Sequence, residues 1–249
     1  MRIFYSEHLV SYKTYTFGYG VYAQKENGDA LSNIYERGFL PYSGSPDTHG
    51  TFYMARSARI PLANWSPTSE NRRILKKFDG RFEKIRTPLS EFEQDEAFLS
   101  LCLTYFEKRH GPAVMPRKRL LFILNSGLIT HVVTYYGNDQ PVAYVLEVSD
   151  GEMGHFWFSF YDLALVRQSL GMWLMIDAVR NAQAEGKTHY YLGTVYGEKA
   201  LYKTNFSPIE YWTGSEWSGD VNTLKKRART DSERTVDTAD EWKEDTTSF

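Results

Sequence analysis

At 249 residues the chain has room for one large domain or two small ones with an ample core, and a formal net charge of -2 means that any polyanion has to be met by local basic clusters. The single cysteine, Cys102, excludes an intrachain disulfide framework and a cysteine-rich metal site and fits a reducing compartment. With no apolar run of membrane-spanning length and no secretory h-region in Met1 to Val10, a cytoplasmic location without membrane partners is expected.

From Ile3 to Tyr22 polar residues alternate with aromatic or apolar ones, which predicts one or two strands before the turn cluster Asn27-Gly28-Asp29. Asp29 is placed to cap a short helix through Leu31, Ile34 and Tyr35 that stops at Gly38, and Pro41 to Gly50 reads as loop. Phe52 to Leu62 has strand character. Ser66-Pro67 then opens a helix on which Arg72, Arg73, Lys76 and Lys77 share one side, either a solvated face or a phosphate-contacting edge. Ser90 and Glu93 form a capping box for a long helix, Phe92 to His110, closed by Gly111-Pro112. Leu99, Cys102 and Phe106 recur there at helical spacing, so Cys102 is a core residue rather than a nucleophile. A helix inside Leu120 to Leu124 precedes a sheet.

Three strand-like runs follow, His131 to Tyr136, Pro141 to Val148 and Met153 to Tyr161, joined by polar turn clusters into an antiparallel meander. The stretch Phe158 to Glu210 is the organising one. An aromatic strand breaks at Tyr161-Asp162 and enters a helix through Val166-Arg167-Gln168-Ser169-Leu170-Gly171. The helix ends at Gly186, a strand follows at His189 to Val195, and a short polar element carries Lys199, Tyr202 and Lys203. A basic, glycine-containing loop at a helix N-terminus suits an anionic ligand. The fold class is α/β, a mixed sheet with packed helices. Gly214 to Phe249 is polar, with a second basic cluster at Lys225, Lys226, Arg227 and Arg229 and an acidic end, and it is expected to be disordered or loosely helical.

The six histidines show no metal-ligand spacing, and there is no Cys-x-x-Cys, Gly-x-Ser-x-Gly elbow, Walker loop or full dinucleotide fingerprint. No metal or cofactor is therefore expected.

The segment Ser169-Leu170-Gly171, then Tyr190-Tyr191-Leu192-Gly193, then Lys199-x-x-Tyr202-Lys203-x-x-Phe206-x-Pro208 resembles the C-terminal half of the aminoacyl-tRNA–protein transferases of the N-degron pathway. That family comprises the arginyltransferases and the related bacterial leucyltransferases. Tyr161-Asp162 stands where the family has its Tyr-Asp, with Leu163 in place of the usual Pro. Arg37-Gly38-Phe39 and the run Arg59-Ile60-Pro61 through Ser66-Pro67 to Arg72-Arg73-Ile74-Leu75-Lys76 match as well, so the resemblance covers roughly Tyr15 to Tyr211. Where the family carries N-terminal cysteines this chain has residues such as Tyr15, Tyr53, Met54, Ala55 and Ser57, so a metal or cluster role does not carry over.

The resemblance implies a GCN5-related acyltransferase-like domain over residues 86–213, after an N-terminal α+β subdomain over 1–85 and before the tail at 214–249. It implies transfer of arginine or leucine from charged tRNA to the N-terminal amine of acceptors with acidic N-termini. Such a reaction joins an activated ester to an amine of ordinary pKa near 7.7 to 8.0. Positioning, worth roughly 7 to 11 kcal/mol at best, outweighs general-base help of roughly 3 to 5 kcal/mol, and no covalent intermediate is needed. In this assignment Asp162 holds or deprotonates the amine and Tyr202 lies near the ester. Arg167, Gln168, Ser169 and Gly171 hold the terminal adenosine phosphates, Lys199 and Lys203 contact tRNA phosphate, and Arg72, Arg73, Lys76 and Lys77 extend the footprint. Each has an ordinary alternative: a turn aspartate, a loop, a solvated helix face. Two other functions fit the same fold, an acyl-CoA-dependent transferase, disfavoured by the lone Gly171, and a non-catalytic tRNA or degron-binding module. Oligomeric state is left open.

Overall fold

The computed structural model describes residues 1–11, 16–44, 49–112 and 114–231. The chain opens with an antiparallel pair, β1 (Arg2–Ser11) and β2 (Thr16–Gln24), followed by α1 (Leu31–Glu36), β3 (Phe39–Pro41) and β4 (Thr51–Met54). These strands make a small sheet in the order β1-β2-β4-β3. Phe52 to Leu62 is thus two strands, because β5 (Ser57–Pro61) leaves the small sheet and enters the large one. The next elements are α2 (Ser69–Phe78), β6 (Glu83–Pro88), α3 (Glu96–His110) and α4 (Arg117–Leu124). Then come the meander β7 (His131–Gly137), β8 (Gln140–Ser149) and β9 (Met153–Tyr161), a 3-10 segment Leu163–Gln168, and α5 (Leu170–Ala184). β10 (His189–Thr194), a second 3-10 segment Glu198–Asn205, β11 (Glu210–Trp212), β12 (Trp217–Ser218) and α6 (Val221–Thr230) complete the described chain.

The large sheet has the order β12-β11-β5-β10-β9-β8-β7-β6. Its meander forms as turn chemistry requires. Asn138 and Asp139 both take positive φ, the two-residue turn that matches strand twist, and Asp150 Oδ1 accepts from the amides of Glu152 and Met153 at 2.9 and 2.8 Å. The mixed α/β sheet expected from the sequence is present, with β9 and β10 as its parallel pair. A division at 85/86 falls inside β6, and β5 from before that point pairs with β10 in the large sheet.

Several helix starts differ by a few residues from the sequence expectation, and each difference has a local cause. Thr68, not Ser66, caps α2 by a reciprocal capping box with Asn71. Asp95 caps α3 by accepting from Phe98 N at 2.7 Å, so the Ser90–Glu93 box is not used. Asp29 does not cap α1, because its carboxylate accepts from Glu26 N and pairs with the Met1 ammonium.

The polar stretch from Gly214 carries regular structure up to Asp231, including a helix. β12 pairs with β11, and α6 buries Leu224 and Ala228 completely. Leu224 and Ala228, four residues apart, with Val221 partly buried beside them, seat one face of this short helix, although the composition of the stretch is polar. Residues 232–249 lie outside the described residues. Among the described residues no helix is long and apolar enough to cross a membrane.

Candidate active site

The parallel pairing of β9 with β10 lasts for three residues, Met153–His155 against His189–Tyr191. Beyond it β9 runs on to Tyr161 beside β8, while Gly193 and Thr194 of β10 pair with β5 alone. The strands splay, and unpaired strand edges with their side chains face the gap. A cavity of about 590 Å³ occupies it. One wall is β9, from Phe156 to Tyr161; the others come from Tyr105, Arg109 and His110 on α3, Ser169, Gly171 and Met175 at the start of α5, and Lys199, Tyr202 and Lys203 on the second 3-10 segment.

Five residues singled out in the sequence, Ser169, Gly171, Lys199, Tyr202 and Lys203, therefore line one cavity, though they come from two separate elements. Ser169 takes the left-handed conformation (φ 71°) at the helix N-cap without a side-chain capping bond. The amides of Met172 and Trp173 turn back to Ser169 O, both at 3.1 Å, whereas those of Leu170 and Gly171 have no acceptor within the helix. Gly171 is needed for close approach: a Cβ built there would lie 2.5 Å from Tyr161 Oη. Tyr202 stands at the rim, 43% exposed.

Lys203 is placed differently from the surface phosphate contact that its spacing with Lys199 implies. It is only 9% exposed, and its Nζ donates to Thr194 O at 2.6 Å. Lys203 is the buried residue of the second 3-10 segment, and its amine reaches β10 through the carbonyl of Thr194. Burial lowers its pKa from the usual lysine range to about 8. A smaller cavity of about 230 Å³ shares Trp157, Phe158, Leu192 and Lys203 with the first, so Lys203 stands between the two. The second cavity is closed by Leu40, Pro41, Ser43 and Tyr53 from the small sheet and its following loop, by Arg119 on α4, and by His155.

His155 is fully enclosed; burial, with the nearby charge of Lys203, pushes its pKa down to about 3 and keeps it neutral. Its Nδ1 is 2.9 Å from Tyr35 Oη. Its Nε2 and Lys203 Nζ both face the open side of Gly193, where a built Cβ would meet them at 3.7 and 3.6 Å. Arg119 holds Ser43 O at 2.8 Å and Val114 O at 2.6 Å.

Asp162 is not brought to the cavity. It is exposed, and Oδ1 accepts from Ala164 N at 2.9 Å while its backbone N–H donates to Val142 O at 2.8 Å. It is the turn aspartate that starts the 3-10 segment Leu163–Gln168. Arg167 and Gln168 lie in that segment, but their side chains are outside the described residues. Arg72, Arg73, Lys76 and Lys77 form the outer face of α2, whose inner face is Asn71, Ile74, Leu75 and Phe78. Arg73 is paired with Glu70, and Arg72 donates to Pro67 O. The cap of α2 touches the site element, since Thr68 Oγ1 donates to Asn205 O at 3.1 Å. His155, Tyr35, Arg109 and Arg119 carry no local signal in the sequence, whereas the aromatic strand that forms the β9 wall is legible there from Phe158 to Tyr161.

Residues 69–204 match a family model described as an acetyltransferase (GNAT) domain. The chain is 31% identical over 176 residues to the aspartate/glutamate leucyltransferase of Phenylobacterium zucineum (strain HLK1), a match covering 65% of this chain and 66% of that protein. It is 30% identical over 178 residues to the protein of the same name from Methylorubrum extorquens (strain PA1), covering 65% and 70%. This chain belongs to the GNAT-fold aspartate/glutamate leucyltransferase family. That is a family of transferases, and the chain spans about two thirds of the length of these relatives, 61% in the case of the one from Ruegeria sp. (strain TM1040). Among solved structures, L-PGS from Bacillus licheniformis overlays with a TM-score of 0.40 at 12% identity, covering 70% of this chain and 57% of that one. In this leucyltransferase-family chain the splay between β9 and β10 is where the GNAT sheet opens.

Proposed function

We propose that this chain transfers leucine from a charged tRNA to the N-terminal α-amine of proteins with acidic N-termini, as a step of an N-degron pathway. The observation that carries this reading is the convergence of Ser169, Gly171, Lys199, Tyr202 and Lys203 on one cavity in the strand splay. The name of the relatives supports leucine as donor and aspartate or glutamate at the acceptor N-terminus. So does the lining: Phe156, Trp157, Phe158, Met172 and Met175 offer an apolar wall, and Arg109, Lys199 and Lys203 oppose entry of an arginine side chain. Arg119 in the adjoining cavity favours an acidic acceptor.

In this reading the ester end of the tRNA lies in the larger cavity, with its phosphates near the start of α5 and Lys199. The acceptor enters through the smaller cavity. Its amine nitrogen attacks the ester carbonyl carbon, the C–N bond forms, and the C–O bond to the terminal ribose breaks. Lys203, between the cavities, takes the proton from the amine and returns it to the departing ribose oxygen. A lysine held near pKa 8 is matched to this proton transfer, and it replaces Asp162 as the residue assigned to it.

Mass spectrometry tests the reading. An Asp- or Glu-initiated peptide incubated with a mixed aminoacyl-tRNA pool gains the mass of one leucine, and RNase abolishes the gain. An Ala-initiated peptide gains far less. No added mass from any charged tRNA, or transfer from an acyl-CoA instead, overturns it.

A further inference from the structure

The second basic cluster, Lys225, Lys226, Arg227 and Arg229, lies wholly on α6 and beyond the matched domain, which ends at residue 204. α6 carries no acidic residue between Val221 and Thr230. Its inner face is fixed by Leu224 and Ala228, both fully buried, so that Lys226 and Arg229 are exposed and Lys225 and Arg227 flank the contact. Among the described residues none of these four side chains engages a carboxylate or any other hydrogen-bond partner. That differs from α2, where Arg73 is held by Glu70 and Arg72 by Pro67 O.

The support on which α6 sits is the 3-10 segment that carries Lys199, Tyr202 and Lys203. Immediately after the helix, Asp231 Oδ2 accepts from Gly197 N at 2.7 Å, at the start of that segment, and pairs with Arg56. Arg56 in turn lies over the Tyr196 ring at 4.6 Å. One end of the site segment is thus fastened to α2 through Thr68 and Asn205, and the other to the end of α6 through Asp231 and Gly197. A helix bearing only positive charge, docked on the element that lines the cavity, has no carboxylate to meet that charge among the described residues. The helix dipole acts within the last turn, so it rewards Arg227 and Arg229 and not all four cations.

We propose that α6 is an RNA-contacting helix whose Lys225, Lys226, Arg227 and Arg229 meet phosphates of the tRNA acceptor stem while the 3′ end occupies the larger cavity. This rests on the tRNA reading of the site. A stem is the occupant that fits: it presents phosphates in two rows alongside its single-stranded end, and a chain of net charge -2 needs a local cationic surface to hold it.

The test is the salt dependence of binding of fluorescein-labelled tRNA to the full chain by anisotropy. Lys226→Gln/Arg229→Gln lowers affinity and reduces the slope of log K against log salt by roughly 2, about one per lost phosphate contact, and the fourfold Gln variant reduces it by roughly 4. Lys226→Arg/Arg229→Lys keeps the wild-type slope. The far-ultraviolet circular dichroism and thermal midpoint of the double variant stay those of the wild type, because both side chains are exposed. A wild-type slope in the fourfold variant overturns the role of α6 while leaving the transferase reading standing. If the unsubstituted chain binds no tRNA, both readings fall together.

Discussion

Two of the places where ionic groups are buried against the large sheet are built differently. On the β7–β8 side, Asp177 of α5 receives Tyr135 Oη at 2.9 Å, Lys84 Nζ at 2.8 Å and further contacts from Arg180 and Asn181. Glu147 of β8 receives Arg86 at 2.8 and 2.9 Å and Tyr190 Oη at 3.0 Å. Every buried carboxylate there is paired and hydrogen-bonded. At the splay, by contrast, among the described residues Lys203 has one backbone carbonyl as hydrogen-bond acceptor and no carboxylate partner, and His155 has one tyrosine hydroxyl. Full satisfaction rigidifies a core; a buried amine left without a carboxylate keeps a pKa near its working range and a free coordination sphere toward the cavities. The first arrangement holds the sheet together, and the second is where the proposed chemistry resides.

The contrast is broken most severely by removing a partner on the satisfied side. Asp177→Ala leaves Tyr135 and Lys84 facing a void and is expected to cost about 3 to 5 kcal/mol of stability, read as a lower urea midpoint. A loss under about 1 kcal/mol would make the network ornamental. On the other side, Lys203→Met is expected to lower transfer by 10²–10⁴-fold, an amount typical of a lost proton-transfer group, with stability at pH 7 equal to or above that of the wild type. Unchanged turnover would remove Lys203 from the mechanism.

The same pair of proteins gives a pH test. Since the folded pKa of Lys203, about 8, lies below its ordinary 10.5, the unfolded chain binds more protons between those values, and the wild type gains stability as pH rises through that window. Any advantage of Lys203→Met at pH 7 therefore shrinks toward pH 10, which paired thermal melts follow. A smaller effect is expected of Gly171→Ala, whose Cβ must displace Tyr161 from the cavity wall at a cost of about 1 to 3 kcal/mol, seen as a raised KM for charged tRNA. The smallest belongs to Asp162→Asn. An asparagine still accepts from Ala164 N, so turnover stays within about twofold and stability within about 0.5 kcal/mol; a large loss of kcat would return Asp162 to the site.

Local chemistry in the sequence determined much of this protein. The meander follows from two turn clusters, α5 from its glycines at either end, and the order strand, loop, helix, strand, polar element from Phe158 to Glu210 is present as read. Turn geometry, capping and strand alternation depend on neighbours a few residues away, so they survive without tertiary information. What the sequence alone left undecided is which side of each element is covered. Lys199 and Lys203 lie four apart on one short segment, yet one lines an open rim and the other is buried against the sheet. Asp162 sits next to Tyr161, yet only the tyrosine reaches the cavity. The smaller cavity joins Leu40, Pro41, Ser43, Tyr53, Arg119 and His155, and α6 is seated by Leu224 and Ala228, with Val221 partly buried beside them, in a polar stretch. Side-chain burial is set by what packs from elsewhere in the chain. The direction of β9 against β10 made the site, and that direction exists only once the sheet is assembled.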